Sequence, residues 1–124
     1  MKHTFYNQEL NIIETRFSGS PTLSEFQTIA NEAVELLGIH NTSKMLNNIT
    51  ELEVNSLENQ EWAQNYWFPK VVELGLRYFA FIKPKNVFGE VSAQQTNEVA
   101  EKEGMVKIEY FDSHEEAVEW LQKF

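Results

Sequence analysis

The residues of this chain that could do chemistry are three histidines, two lysines flanking a proline, and one dense aromatic segment. His3, His40 and His114 lie in distant segments, and none stands at helical or strand spacing from another histidine. That pattern favours solvated turn histidines over a metal site. There is no cysteine and no Gly-x-Ser-x-Gly elbow, so nucleophilic catalysis finds no residue. Gly19-Ser20-Pro21 reads as a turn, and Gly89 stands without the companions a phosphate loop needs. Glu101/Glu103 and Glu115/Glu116 read as solvated helix faces, because a working carboxylate pair needs burial to separate its pKa values. No catalytic residue, metal ligand or cofactor is assigned, and the chain is expected not to be an enzyme.

Lys83 and Lys85 flank Pro84 just after the apolar run 78–82. Ligands of α/β sheets sit beyond the carboxyl ends of strands, and a helix starting near Val87 would offer free backbone N–H groups. The two lysines are therefore candidate anion contacts. The alternative is that they solvate a loop and discourage edge pairing.

The aromatic segment is Trp62-Ala63-Gln64-Asn65-Tyr66-Trp67-Phe68-Pro69. Aromatic side chains carry much of the burial energy of a small domain. On a helix over 57–74, Trp62, Tyr66 and Pro69 share one face, and Ala63, Trp67 and Val71 share the next. A helix on a sheet buries a stripe of about 100° or slightly more. Trp67 and Val71 fit the core, while Trp62, Tyr66 and Phe68 exceed the stripe and are candidate contacts for a ligand or a partner. Coverage by the N-terminal hairpin or the last helix is the other reading of that surplus.

These residues need a scaffold. Segment 10–18 is rich in β-branched and aromatic residues and reads as a strand, paired in a hairpin with a short one around Phe5-Tyr6. A first helix starts at Thr22 or Ser24, with Glu25 completing a capping box, and carries Leu23, Phe26, Ile29, Ala30, Ala33, Val34 and Leu37 at helical spacing. Gly38 is its expected C-cap. Segment 44–49 reads as a buried strand followed by a polar loop through Asn55, and Ser56 caps the aromatic helix. Pro69 predicts a kink or restart near Phe68, and Gly75 ends the helix. Segment 78–82 is a strand buried on both faces. A weaker helix over 87–103, a strand over 106–111 and a helix capped by Asp112 or Ser113 complete the chain. The order β-β-α-β-α-β-α-β-α predicts an α/β fold with a mixed sheet of about five strands and four helices.

Length and composition set the outer bounds. The 124 residues fit a single domain over 1–124, long enough for a core without disulfides. No N-terminal apolar region reads as a signal peptide and no run approaches the length of a bilayer span, so a cytoplasmic protein is expected. The net charge is −9, and all 19 acids but Asp112 are glutamates. Such a surface repels phosphate backbones and argues against nucleic acid as a partner.

The element order and several residues in place resemble the STAS-like fold, in particular its SpoIIAA-like branch of small stand-alone bacterial proteins. The resemblance rests on Trp62 and Trp67-Phe68-Pro69, on Gly75-Leu76-Arg77-Tyr78-Phe79-Ala80, and on the close from Phe111-Asp112-Ser113 to Ala117-Val118-Glu119-Trp120-Leu121. It spans nearly the whole chain. It implies a non-enzymatic domain that binds partners or small apolar or anionic ligands. Partner-switching members of that family carry a phosphorylatable serine in an Asp-Ser-Ser-Gly-like turn. Segment 46–56 of this chain departs from that motif: Thr50 and Ser56 are hydroxyls in roughly the right place, but Glu51 and Glu53 would repel an added phosphate.

Three functions remain open at this point. The first is a module that binds a protein partner or a small apolar ligand through the aromatic helix. The second is a homodimer built on the surplus aromatics. The third is a small enzyme acting on an anionic substrate near Lys83 and Lys85.

Overall fold

The computed structural model describes residues 3–84 and 106–124. The expected helix over 87–103 and Lys85 lie outside the described residues. Five strands form one sheet in sequence order, β1 (Thr4–Asn7), β2 (Ile12–Gly19), β3 (Lys44–Leu52), β4 (Tyr78–Ile82) and β5 (Lys107–Phe111). β1 and β2 form an antiparallel hairpin, and β2 to β5 are parallel neighbours. The mixed α/β architecture is the expected one.

Strand periodicity divides the sheet into two apolar faces. On one face Ile13, Phe17, Met45, Ile49, Phe79, Phe81 and Ile108 meet helix α1 (Leu23–His40) and the aromatic helical segment. On the other face Ile12, Leu46, Ala80 and Ile82 meet Ala117 and Leu121 of α4 (His114–Leu121). β4 alternates between the two clusters, which is why its sequence is apolar without interruption.

Local chemistry sets most boundaries. Thr22 caps α1 with its hydroxyl accepting the Glu25 N–H, and the Glu25 carboxylate accepts the Thr22 N–H at 2.8 Å, the expected capping box. The Ser56 and Ser113 hydroxyls cap the later helices by accepting the N–H of Asn59 and of Glu116. Gly38 does not cap α1. The helix runs on to His40, and Asn41 takes the left-handed conformation at φ 57°, its N–H bonded to the Leu37 carbonyl. Asparagine tolerates that region, and the extra turn stacks the His40 ring on Tyr6 at 3.6 Å.

β3 also exceeds expectation, continuing past Ile49 to Leu52. Ser18 and Gly19 of β2 pair with Glu51 and Leu52 after a register shift beyond Arg16, and Leu52 is buried in the core. The polar residues 50 and 51 disguise this strand end. Gly75, at φ 108°, follows the aromatic helical segment as expected. No helix among the described residues is long and apolar enough to cross a membrane.

The capping box carries a testable pH signature. The hydrogen bonds from the Thr22 backbone and side chain hold the Glu25 carboxyl below its ordinary value of 4.5. A carboxyl lowered by folding stabilises the native state above its unfolded pKa and loses that contribution as pH falls through the folded pKa. Thr22→Ala is expected to cost about 1 kcal/mol in urea denaturation at neutral pH. Glu25→Gln should make stability less steep on the acid side of pH 4.5. An unchanged acid limb would show that the box contributes nothing.

Candidate functional site

The aromatic segment is a helix with a change of register. It begins as α2 (Leu57–Trp62), widens into a π turn over Ala63–Trp67, and resumes as α3 (Phe68–Glu73). Proline cannot donate to the carbonyl four residues back, so a regular ladder must fail at Pro69. The widened turn comes just before it, with the Phe68 N–H bonded to the Ala63 carbonyl. The expected restart at Phe68 is present. One added residue per turn also changes which side chains face the sheet. Trp67 and Phe68, adjacent in sequence, are only 7% and 3% exposed, while Tyr66 is thrown outward at 67%.

Trp67 is tied in firmly. Its indole N–H donates to the Ala30 carbonyl of α1 at 2.8 Å, and its ring meets Phe68 and Phe79. Trp62 is half-buried and lays its ring edge-to-face with Phe26 at 5.9 Å. Of the three surplus aromatics, the structure thus places Phe68 inside, Trp62 over α1 and Tyr66 in solvent.

Beneath the π turn lies a cavity of about 60 Å³. Ala63, Trp67 and Phe68 roof it, Phe26 and Ala30 of α1 close one side, and Ile49, Leu52, Phe79 and Phe81 form the floor. Three polar residues also line it: Thr15 on β2, Asn47 on β3 and Asn55 in the loop before α2. All three are more than nine-tenths buried. Among the described residues, Thr15 Oγ1, Asn47 Oδ1 and Asn55 Oδ1 have no hydrogen-bond partner. Buried polar atoms are almost always paired, because an unpaired one costs about 1–3 kcal/mol. Three of the four such atoms among the described residues belong to residues that line this one cavity; the fourth is Asn59 Oδ1.

Their positions are well supported. Thr15 and Asn47 are direct partners across parallel strands, which lie about 4.8 Å apart. The Asn55 carbonyl accepts the Gln60 side-chain amide at 2.8 Å. Nearby, the fully buried Asn59 donates its side-chain amide to the Pro21 carbonyl at 2.9 Å, pinning α2 to the loop that precedes α1.

None of these three polar residues stands out by spacing in the sequence. The available signal is phase: Thr15 falls between Ile13 and Phe17, and Asn47 between Met45 and Ile49, on the strand face that is otherwise apolar. Asn55 carries no such signal, because its loop position depends on β3 reaching Leu52.

The other candidates are more dispersed. Lys83 is paired with Asp112 at 3.5 Å, so an anion there would compete with a carboxylate. Thr50 bonds to Asn48 Oδ1 at 2.7 Å, and the Ser56 hydroxyl is engaged in capping α2. The expectation of solvated histidines holds for His3, which is exposed. His114 is exposed too, but its Nε2 lies 2.7 Å from Oε1 of the buried Glu14, with Asn7 donating to the other carboxylate oxygen at 2.9 Å. The two residues are a hundred positions apart, and only the crossing of α4 over the sheet joins them. Ser113 beside that pair is occupied by the cap and by Glu116, which leaves the pair without a nucleophile there. Among the described residues, no group of three or more His, Asp or Glu side chains could hold a metal ion.

No family model and no curated protein matches this chain. Among solved structures, an uncharacterized protein of the DUF3478 family with a SpoIIAA-like fold, from Shewanella loihica PV-4, is similar. The TM-score is 0.59 and the identity 17%, over 95% of this chain and 90% of that one. At that identity the likeness bears on architecture alone, and with the sheet order described above it establishes that this chain has a SpoIIAA-like fold.

Proposed function

We propose that this protein is a non-enzymatic binding module that holds a small, mainly apolar molecule in the cavity beneath the π turn. The observation that carries this reading is the cavity itself, roofed by the residues that the register change turns inward. Ligand sites are concave, mainly apolar and furnished with a few fixed polar groups, and this one has that make-up. A π turn inside an α-helix is a frequent mark of a functional site. The described lining residues are apolar side chains, amides and one hydroxyl, a set suited to holding a molecule rather than moving protons. Phe68 contributes to the binding wall. Trp62 and Tyr66, outside the cavity, are left for contact with a partner protein or a second copy.

Titration with a small apolar guest such as cyclopropane tests the reading. The methyl signals of Ala30, Ala63 and Ile49 are expected to shift saturably. Ala63→Leu, which extends a side chain into the cavity, should remove the response while the protein stays folded. Equal responses from the wild type and Ala63→Leu would place the guest elsewhere and refute the reading.

A further inference from the structure

The three unpartnered polar atoms specify more than an apolar guest. We infer that the cavity selects a neutral molecule that presents a hydrogen-bond donor, such as an alcohol or a primary amide on a short apolar body. This rests on the reading of the cavity as a ligand site.

The donor requirement follows from the unpaired atoms that the lining residues carry. Asn47 Oδ1 and Asn55 Oδ1 are carbonyl oxygens and can only accept. Thr15 Oγ1 can accept or donate. A ligand hydroxyl can donate to one amide oxygen while accepting from Thr15, and a primary amide can donate to both oxygens. A hydrocarbon of equal size leaves all three atoms unpaired, and an ether, which only accepts, can pair with the Thr15 hydroxyl alone and leaves both amide oxygens unpaired. A site with fixed, buried polar groups rejects a guest that lacks the matching group more strongly than it rejects a change of apolar size.

Neutrality follows from the walls. Among the described residues that line the cavity, none carries a charge. Burying a carboxylate without a countercharge is far more costly than burying a hydroxyl.

Size follows from the volume. A cavity of about 60 Å³ is less than half the roughly 150 Å³ of an engineered cavity that binds benzene. It suits a guest of about three or four heavy atoms by that comparison. Ordered water is the competing occupant, since water also donates and accepts.

The test uses guests of matched size on the whole protein: propanol, ethyl methyl ether and propionate, followed by the methyl signals of Ala30, Ala63 and Ile49. Propanol is expected to bind at least tenfold more tightly than either of the others. Asn47→Leu should bring propanol down to the ether's affinity, and the ether should bind the variant no worse than it binds the wild type. If ether and propanol bind the wild type alike, the donor inference is overturned while the cavity remains a ligand site. If propionate binds best, the neutrality inference falls. If none of the three binds but cyclopropane does, the polar atoms serve water and the inference falls. If cyclopropane also fails, the proposed function itself fails.

Discussion

Trp67→Ala is expected to destabilise the protein by about 4 kcal/mol, a large part of the 5–15 kcal/mol that holds a typical domain folded. Two effects combine. The substitution removes a buried ring that touches Phe68 and Phe79, and it leaves the Ala30 carbonyl without the indole N–H that satisfies it. It also enlarges the cavity that Trp67 roofs, so the lost contacts are not recovered by collapse. Trp62→Ala should cost only about 1–2 kcal/mol, since its ring is half-buried and meets Phe26 edge-to-face. Urea denaturation of both variants separates the roles. Equal losses would contradict the division of the aromatic segment into an inner and an outer set.

The second large effect runs in the opposite direction. Asn47→Leu and Thr15→Val replace an unpaired buried acceptor or hydroxyl with an apolar group of similar shape. Each is expected to stabilise the ligand-free protein by about 1 kcal/mol, because the uncompensated polar atom is removed. Asn47→Leu should at the same time bring propanol binding down to the ether's level, and Thr15→Val should weaken propanol binding by removing the hydroxyl from which it accepts. Gain of stability with loss of binding is the expected signature of groups kept for function. If both variants are destabilised instead, the polar atoms are partners of structural water, and the cavity is part of the fold rather than a site. The double variant should be less than additive, since Thr15 and Asn47 are neighbours across the strands.

How much of this was legible in the sequence depends on how local the determinant is. The cap at Ser56 was readable, and those at Thr22 and Ser113 were each readable to one of two residues, because a hydroxyl and the N–H three residues on decide them. β4 was readable because burial on both faces makes it continuously apolar. Pro69 announced a break, but not that a widened turn would rotate both Trp67 and Phe68 inward; stripe arithmetic on a regular helix left Phe68 over. Gly38 competed with Asn41 for the end of α1, and tertiary stacking of His40 on Tyr6 accompanies the later stop. The polar trio was hidden for a different reason. Thr15, Asn47 and Asn55 meet only through strand pairing and a loop, so no spacing rule connects them. The Glu14–His114 contact is hidden in the same manner.

The central claim is that the space beneath the π turn is a site that admits a small guest. Its most direct measurement is a crystal structure of the protein under xenon pressure, since xenon enters apolar cavities and is located without ambiguity by its electron density. The account predicts a xenon atom enclosed by Ala63, Trp67, Phe68 and Ile49, displaced or lost in Ala63→Leu. Density for ordered water bonded to Thr15, Asn47 and Asn55, unchanged by xenon and with no xenon in the cavity, would contradict it.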